Sequence, residues 1–160
     1  MPLYFAYGSN MDIAAMRDRC PASRPLGRAR LMRHRLVVME EGYASVTRDP
    51  RSVVWGMLWD LALPDIPSLD RYESIHTGLY AKVTQAVVAA SGPRRALVYV
   101  GRRSGPGVPR PGYMEGVVAA ARAAHLPPAY VAELESLLPH AAVRSSAGAK
   151  PSAPAWRWEP

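Results

Sequence analysis

Leu3-Tyr4-Phe5-Ala6-Tyr7-Gly8-Ser9-Asn10-Met11 stands almost at the start of the chain, and the rest is read outward from it. The five apolar or aromatic residues Leu3 to Tyr7 predict a short buried strand. Gly8 ends it, and Ser9, Asn10 and Asp12 are all residues that favour helix N-caps. Ile13 and Met16, with alanines between them, continue as a short helix that Cys20-Pro21 stops. A strand, a glycine turn and a helix start leave backbone N–H groups free, and the helix dipole reinforces them. Such a turn can hold a carboxylate, a phosphate or a developing oxyanion. The same pattern also describes a junction that merely turns the chain.

At 160 residues and 49% hydrophobic content, one globular domain with room for a core is expected. No apolar run approaches the ~18 residues of a membrane helix, so no membrane partner is expected. The N-terminus has neither a basic n-region nor an apolar h-region, so no secretory signal is expected. The single cysteine, Cys20, rules out an internal disulfide framework and fits a reducing cytoplasm. The net charge of +7 is carried almost wholly by arginine. It fits an anion-binding face, or the arginine-rich bias that the alanine and proline content also suggests.

After the first helix, Arg24-Pro25-Leu26-Gly27 reads as a turn. Two short strands follow, around Ala29 and Leu31 and over Leu36 to Met39. Arg28 and Arg30, and Arg33 and Arg35, are spaced by two, so each pair lies on one side of a strand. No aromatic residue lies among the four, which gives nucleic-acid stacking little support. Glu40-Glu41-Gly42 is a turn, and Ala44 to Arg48 a short strand ended by Asp49-Pro50. Ser52 to Leu61 is the clearest strand, apolar on both faces and therefore central. Gly56 within it signals a bulge or a group packed close to the backbone.

Asp65 then predicts the N-cap of a short helix with Pro67 in its first turn. Ile66, Leu69 and Glu73 fall at i, i+3 and i+7, so a carboxylate shares the core-facing stripe. There it must be paired, protonated or used, unless it sits at a frayed helix end and reaches water. Strands over Leu79 to Val88 and Arg95 to Gly101 flank a hairpin turn at Ser91-Gly92-Pro93. Arg102 to Gly112 reads as a surface loop. Tyr113 opens a helix with Met114, Val117, Val118 and Ala121 as its buried stripe, and Tyr130 to Leu138 marks a second. The domain spans 1–140, and 141–160 is a low-complexity tail expected to be flexible. The expected class is α+β: short, mostly antiparallel strands in a small, partly closed barrel with flanking helices.

Several chemistries lack their residues. There is no GxxxxGK[ST] or GxGxxG, and the four histidines show no ligand spacing. Ser9 lacks the GxSxG elbow of a nucleophile. Cys20, just before Pro21, reads as a small core residue rather than a nucleophile.

Tyr4-Phe5-Ala6-Tyr7-Gly8-Ser9-Asn10-Met11 resembles the opening motif of the γ-glutamylcyclotransferase family. Val54-Trp55-Gly56-Met57-Leu58-Trp59 resembles its central strand. Leu69-Asp70-Arg71-Tyr72-Glu73, followed by Gly78-Leu79-Tyr80, resembles the segment around its catalytic glutamate. Pro111-Gly112-Tyr113 and Leu126-Pro127-Pro128-Ala129-Tyr130 resemble its C-terminal helices. The likeness runs from about Leu3 to Leu138, and the family's usual Glu-Gly is here Glu73-Ser74.

The resemblance implies a small, partly closed barrel and an intramolecular reaction. The α-amine of a γ-glutamyl group attacks its own γ-carbonyl, giving 5-oxoproline and a free amine or amino acid. That chemistry needs a folded substrate, one base that takes a proton and returns it to the leaving nitrogen, and N–H donors for a carboxylate or oxyanion. Glu73 is the implied base, since a carboxylate in an apolar setting has a raised pKa. The turn at Tyr4, Phe5, Ala6, Tyr7, Gly8, Ser9 and Asn10 is the implied binding segment, with Tyr113 and Tyr80 as further contacts. No metal or cofactor is asked for. The expected partner is a small γ-glutamyl substrate, not nucleic acid, and the expected assembly a monomer or homodimer. A γ-glutamylamine cyclotransferase, a biosynthetic deacylating transferase and a non-catalytic binding module remain open alternatives on the same fold.

Overall fold

The computed structural model describes residues 2–103 and 105–139. The segment 141–160, read above as a tail, lies outside the described residues. Five strands close into one barrel in the order β1-β3-β2-β4-β5. They are β1 (Leu3–Ala6), β2 (Arg24–Val38), β3 (Ala44–Asp60), β4 (Tyr80–Ala89) and β5 (Gly92–Gly101). Four short helices flank them: α1 (Ile13–Arg19), α2 (Ile66–Tyr72), α3 (Tyr113–Ala123) and α4 (Pro128–Glu135). The pairing is antiparallel except at the seam, where β1 runs parallel to β5 with Tyr4 opposite Leu97.

β1 lies along β3 with Phe5 opposite Leu58, as the apolar run at the start requires. Gly56 is explained by close approach. A Cβ there would lie 2.2 Å from the Ala6 carbonyl oxygen and 2.9 Å from the Phe5 ring. Phe5, Val54, Leu58 and Trp59 form the barrel core together with Met114, Val117 and Ala121 of α3.

The β2–β3 hairpin departs from the sequence expectation. Arg24-Pro25-Leu26-Gly27 is strand rather than turn, with Leu26 as an extra residue and Gly27 at φ 115°. Asp49-Pro50 does not end a strand. β3 runs through it as a wide bulge, in which Asp49 to Ser52 stand opposite Arg33 alone. Pro50 lacks an N–H, and a bulge asks for no ladder bond there. The Asp49 carboxylate closes the excursion by accepting from Arg51 N at 3.1 Å and Ser52 Oγ at 2.8 Å. Arg28, Arg30, Arg33 and Arg35 are all exposed.

One other expectation changes. Asp65 stands at the N-cap of α2 but does not cap it. Its Oδ2 accepts from Ala22 N at 3.0 Å and Ser23 Oγ at 2.7 Å, tying the end of the first helix region to the start of α2. The loop before α3 is a surface loop as expected, and it is tied to the β2–β3 turn: Gly107 N donates to Val38 O and Arg110 N to Gly42 O. Among the described residues, no helix is long and apolar enough to cross a membrane.

Candidate active site

α2 ends at Tyr72, and Glu73 caps it with its amide on the Leu69 carbonyl at 2.9 Å. The Glu73 side chain is half-buried and turns toward the segment after β1. Its Oε1 accepts from Asn10 Nδ2 at 3.1 Å and lies 3.5 Å from the Tyr4 hydroxyl. Asn10 Nδ2 also reaches the Tyr4 hydroxyl at 3.1 Å. Oε2 has no hydrogen bond among the described residues. Burial raises the Glu73 carboxyl to about 7, against partial compensation by Arg19 and the Tyr4 and Asn10 hydrogen bonds.

Asn10 and Ser9 are presented by the turn after β1. Ser9–Met11 is one turn of 3-10 helix, with Met11 N on Gly8 O and Asp12 N on Ser9 O. Ser9 and Asn10 cap no helix. Asp12 does, accepting from Ala14 N at 2.9 Å at the start of α1. The amides of Gly8, Ser9 and Asn10 have no partner among the described residues. Gly8 lies against Tyr113, whose hydroxyl would stand 3.0 Å from a Cβ there.

The tyrosines form the rest of the wall. Tyr80 donates to the Ala44 carbonyl at 2.6 Å, and Ala44 N donates to the Tyr113 hydroxyl at 3.2 Å, so both meet one backbone residue. Tyr7 donates to the Tyr99 carbonyl. Burial raises all of these phenols, and negative charge on Glu73 raises them further. They therefore serve as neutral hydrogen-bonding groups. Phe5 and Ala6 face the core and take no part in the polar cluster.

Tyr4, Asn10 and Glu73 are brought into direct contact, and Ser9, Gly8 and Tyr113 adjoin them. Three members went unread in the sequence. Tyr72 holds Ser9, hydroxyl to Oγ, at 2.8 Å. Arg19 donates to Asn10 Oδ1 and covers the Tyr72 ring. Asp70 accepts from Tyr99 at 2.6 Å and pairs with Lys82 at 2.8 Å. Arg19 had a signal, since it lies three residues after the buried Met16 on one helical face. Ser74 adopts φ 52°, ψ 44°, a left-handed conformation that glycine adopts without strain. Cys20 is buried, and burial first, then Asp65, pushes its thiol up to about 11. Among the described residues, no three His, Cys, Asp or Glu side chains are grouped to hold a metal ion.

A small closed barrel with a half-buried carboxyl beside a strand–glycine turn defines the class. Residues 53–134 match the AIG2-like family, and the chain belongs to it. Among curated proteins it is similar to human gamma-glutamylcyclotransferase, 27% identical over 86% of this chain and 79% of the relative. The mouse protein of the same name is 29% identical with the same coverage. A solved structure named gamma-glutamyl cyclotransferase superposes with a TM-score of 0.80 at 25% identity, covering 87% of this chain and 89% of the other.

Proposed function

We propose that the protein is an enzyme of γ-glutamylcyclotransferase type, converting a γ-glutamyl donor to 5-oxoproline and a free amine or amino acid. The observation that carries this reading is Glu73, a carboxyl raised to about 7 with one oxygen held by Asn10 and the other without a protein partner. The relatives' names support the reaction class.

The α-ammonium of the donor must first become an amine. Its nitrogen attacks the γ-carbonyl carbon, and the ring C–N bond forms. Glu73 takes a proton from the attacking nitrogen at Oε2 and delivers it to the departing nitrogen as the old C–N bond breaks. One proton travels by way of Glu73; the other passes from the α-ammonium to water before attack and is taken back from water by the released amine, which ends as ammonium. The free amides of Gly8, Ser9 and Asn10 are suited to the substrate carboxylate or to the oxyanion of the tetrahedral intermediate. The tyrosine wall holds the glutamyl chain folded, so that attack is intramolecular.

Product analysis with a panel of γ-glutamyl donors tests the reading. The expected result is 5-oxoproline in equal amount to the released amine. An N-acetylated donor lacks the attacking nitrogen and is expected to stay intact. Release of the same amine from that donor would overturn the cyclisation mechanism.

A further inference from the structure

Arg19 is the last residue of α1 and is half-buried. The ion pairs of the described residues are Arg24–Asp60, Arg35–Asp49, Lys82–Asp70 and Arg122–Glu135, and Arg19 is in none. Its charge is spent elsewhere. Nη1 donates to Asn10 Oδ1, and the guanidinium carbon lies 3.6 Å from the centre of the Tyr72 ring. Tyr72 in turn holds Ser9 at 2.8 Å.

A guanidinium only donates hydrogen bonds. The oxygen of the Asn10 carboxamide must therefore face Arg19, and its NH2 must face Glu73 and Tyr4. Without Arg19 the amide is free to turn over, and its oxygen would then meet the Glu73 carboxylate. The stacking on Tyr72 fixes the other flank of the same turn, through Ser9. One side chain thus sets the orientation of two consecutive residues of the segment that meets Glu73.

We propose that Arg19 is a positioning residue of this site: it orients Asn10 so that Glu73 Oε1 is kept as an acceptor and the exchanging proton is directed to Oε2. This rests on the base role given to Glu73 above. Other titratable groups that interact with Glu73 come from every side. They are Tyr4 within β1 and Tyr7 just after it, Asp70 and Tyr72 of α2, Tyr80 of β4, Tyr99 of β5 and Tyr113 of α3. Burial holds the phenols neutral, and the Asp70 charge is shared with Lys82. Arg19 is the cation whose field favours ionised Glu73.

The test is a carboxyl titration by carbon-13 NMR of the full chain, with the Glu73 signal assigned by its loss in Glu73→Gln. Arg19→Met keeps bulk and removes the charge and the donor. The Glu73 midpoint is expected to rise by on the order of one pH unit, as loss of a nearby opposite charge requires. The acid limb of kcat/KM should move with it, and kcat should fall on the order of tenfold with KM changed less. Arg19→Lys keeps the charge and loses the fork, so the midpoint should move less while kcat still falls. A folded Arg19→Met protein whose Glu73 midpoint matches wild type overturns the proposal, because a merely structural arginine would lower stability alone. Should Arg19→Met fail to fold, Arg19→Lys decides: wild-type kcat and an unchanged Glu73 signal overturn it. If the midpoint shifts as expected but wild type turns over no γ-glutamyl donor, the reaction reading falls and the placement of Arg19 stands. If donors are turned over and the midpoint does not shift, the reverse holds.

Discussion

Glu73 keeps its proton up to about 7, against an ordinary 4.5, because burial outweighs Arg19 and the hydrogen bonds of Tyr4 and Asn10. Between those values the folded state holds a proton that the unfolded chain has released. Stability therefore falls as pH rises from about 4.5 to about 7 and is lowest, for this group, above it. Glu73→Gln removes that dependence. Relative to wild type it should gain up to roughly 3 kcal/mol above pH 7 and nothing below pH 4.5, read from denaturant midpoints at both pH values. The same variant should lose at least ~10²-fold in turnover, and with it the acid limb of kcat/KM near pH 7. Cys20→Ala, whose thiol stays protonated at neutral pH, should leave turnover nearly intact. An active Glu73→Gln beside a dead Cys20→Ala would mean covalent thiol chemistry. Ser74, at φ 52° and buried, carries a left-handed strain of about 1 kcal/mol. Ser74→Gly should recover about that much, and an unchanged midpoint in urea would show that the strain is compensated in place.

At the scale of elements, local patterns were read well and interruptions poorly. The apolar run of β1, the two-sided β3 and the stripe of α3 each bury one contiguous surface, so their neighbours in sequence carry the signal. Gly56 was legible because a glycine in an apolar strand has few explanations. A Cβ there would press on backbone, which cannot swing aside, so Gly56→Ala should destabilise by at least about 2 kcal/mol by thermal or urea unfolding. Pro50 and Gly27 were misread as ends because both residues usually break strands. Here the hairpin absorbs them as bulges, and only the partner strand reveals that pairing resumes beyond them. The site shows the same division. The turn and Glu73 lie in recognisable segments. Tyr72 and the Asp70–Lys82–Tyr99 group belong to it through contacts between distant segments that no spacing encodes, and the spacing of Arg19 from Met16 says only which helical face it shares.

For the whole molecule the net charge is +7, and among the described residues the four arginines of β2 named above are exposed. Arg28 donates to the His125 carbonyl, Arg30 lies 5.7 Å over Trp55 and Arg35 is 3.8 Å from Asp49. Binding to duplex or single-stranded nucleic acid should be weak and vanish near physiological salt; tight, salt-resistant, sequence-dependent binding in a fluorescence titration would contradict this. The seam of the barrel has a further consequence. β1 meets β5 at Tyr4 opposite Leu97, and the same Tyr4 packs edge-to-face with Tyr99 while its hydroxyl accepts from Asn10 and faces Glu73. The zip that shuts the cylinder is thus also part of the candidate site. Opening of that seam would cost Glu73 a partner and admit water to its carboxyl. Under the role proposed for Glu73, closure of the barrel and tuning of the base are one event: a seam that opened would leave an ordinary surface glutamate.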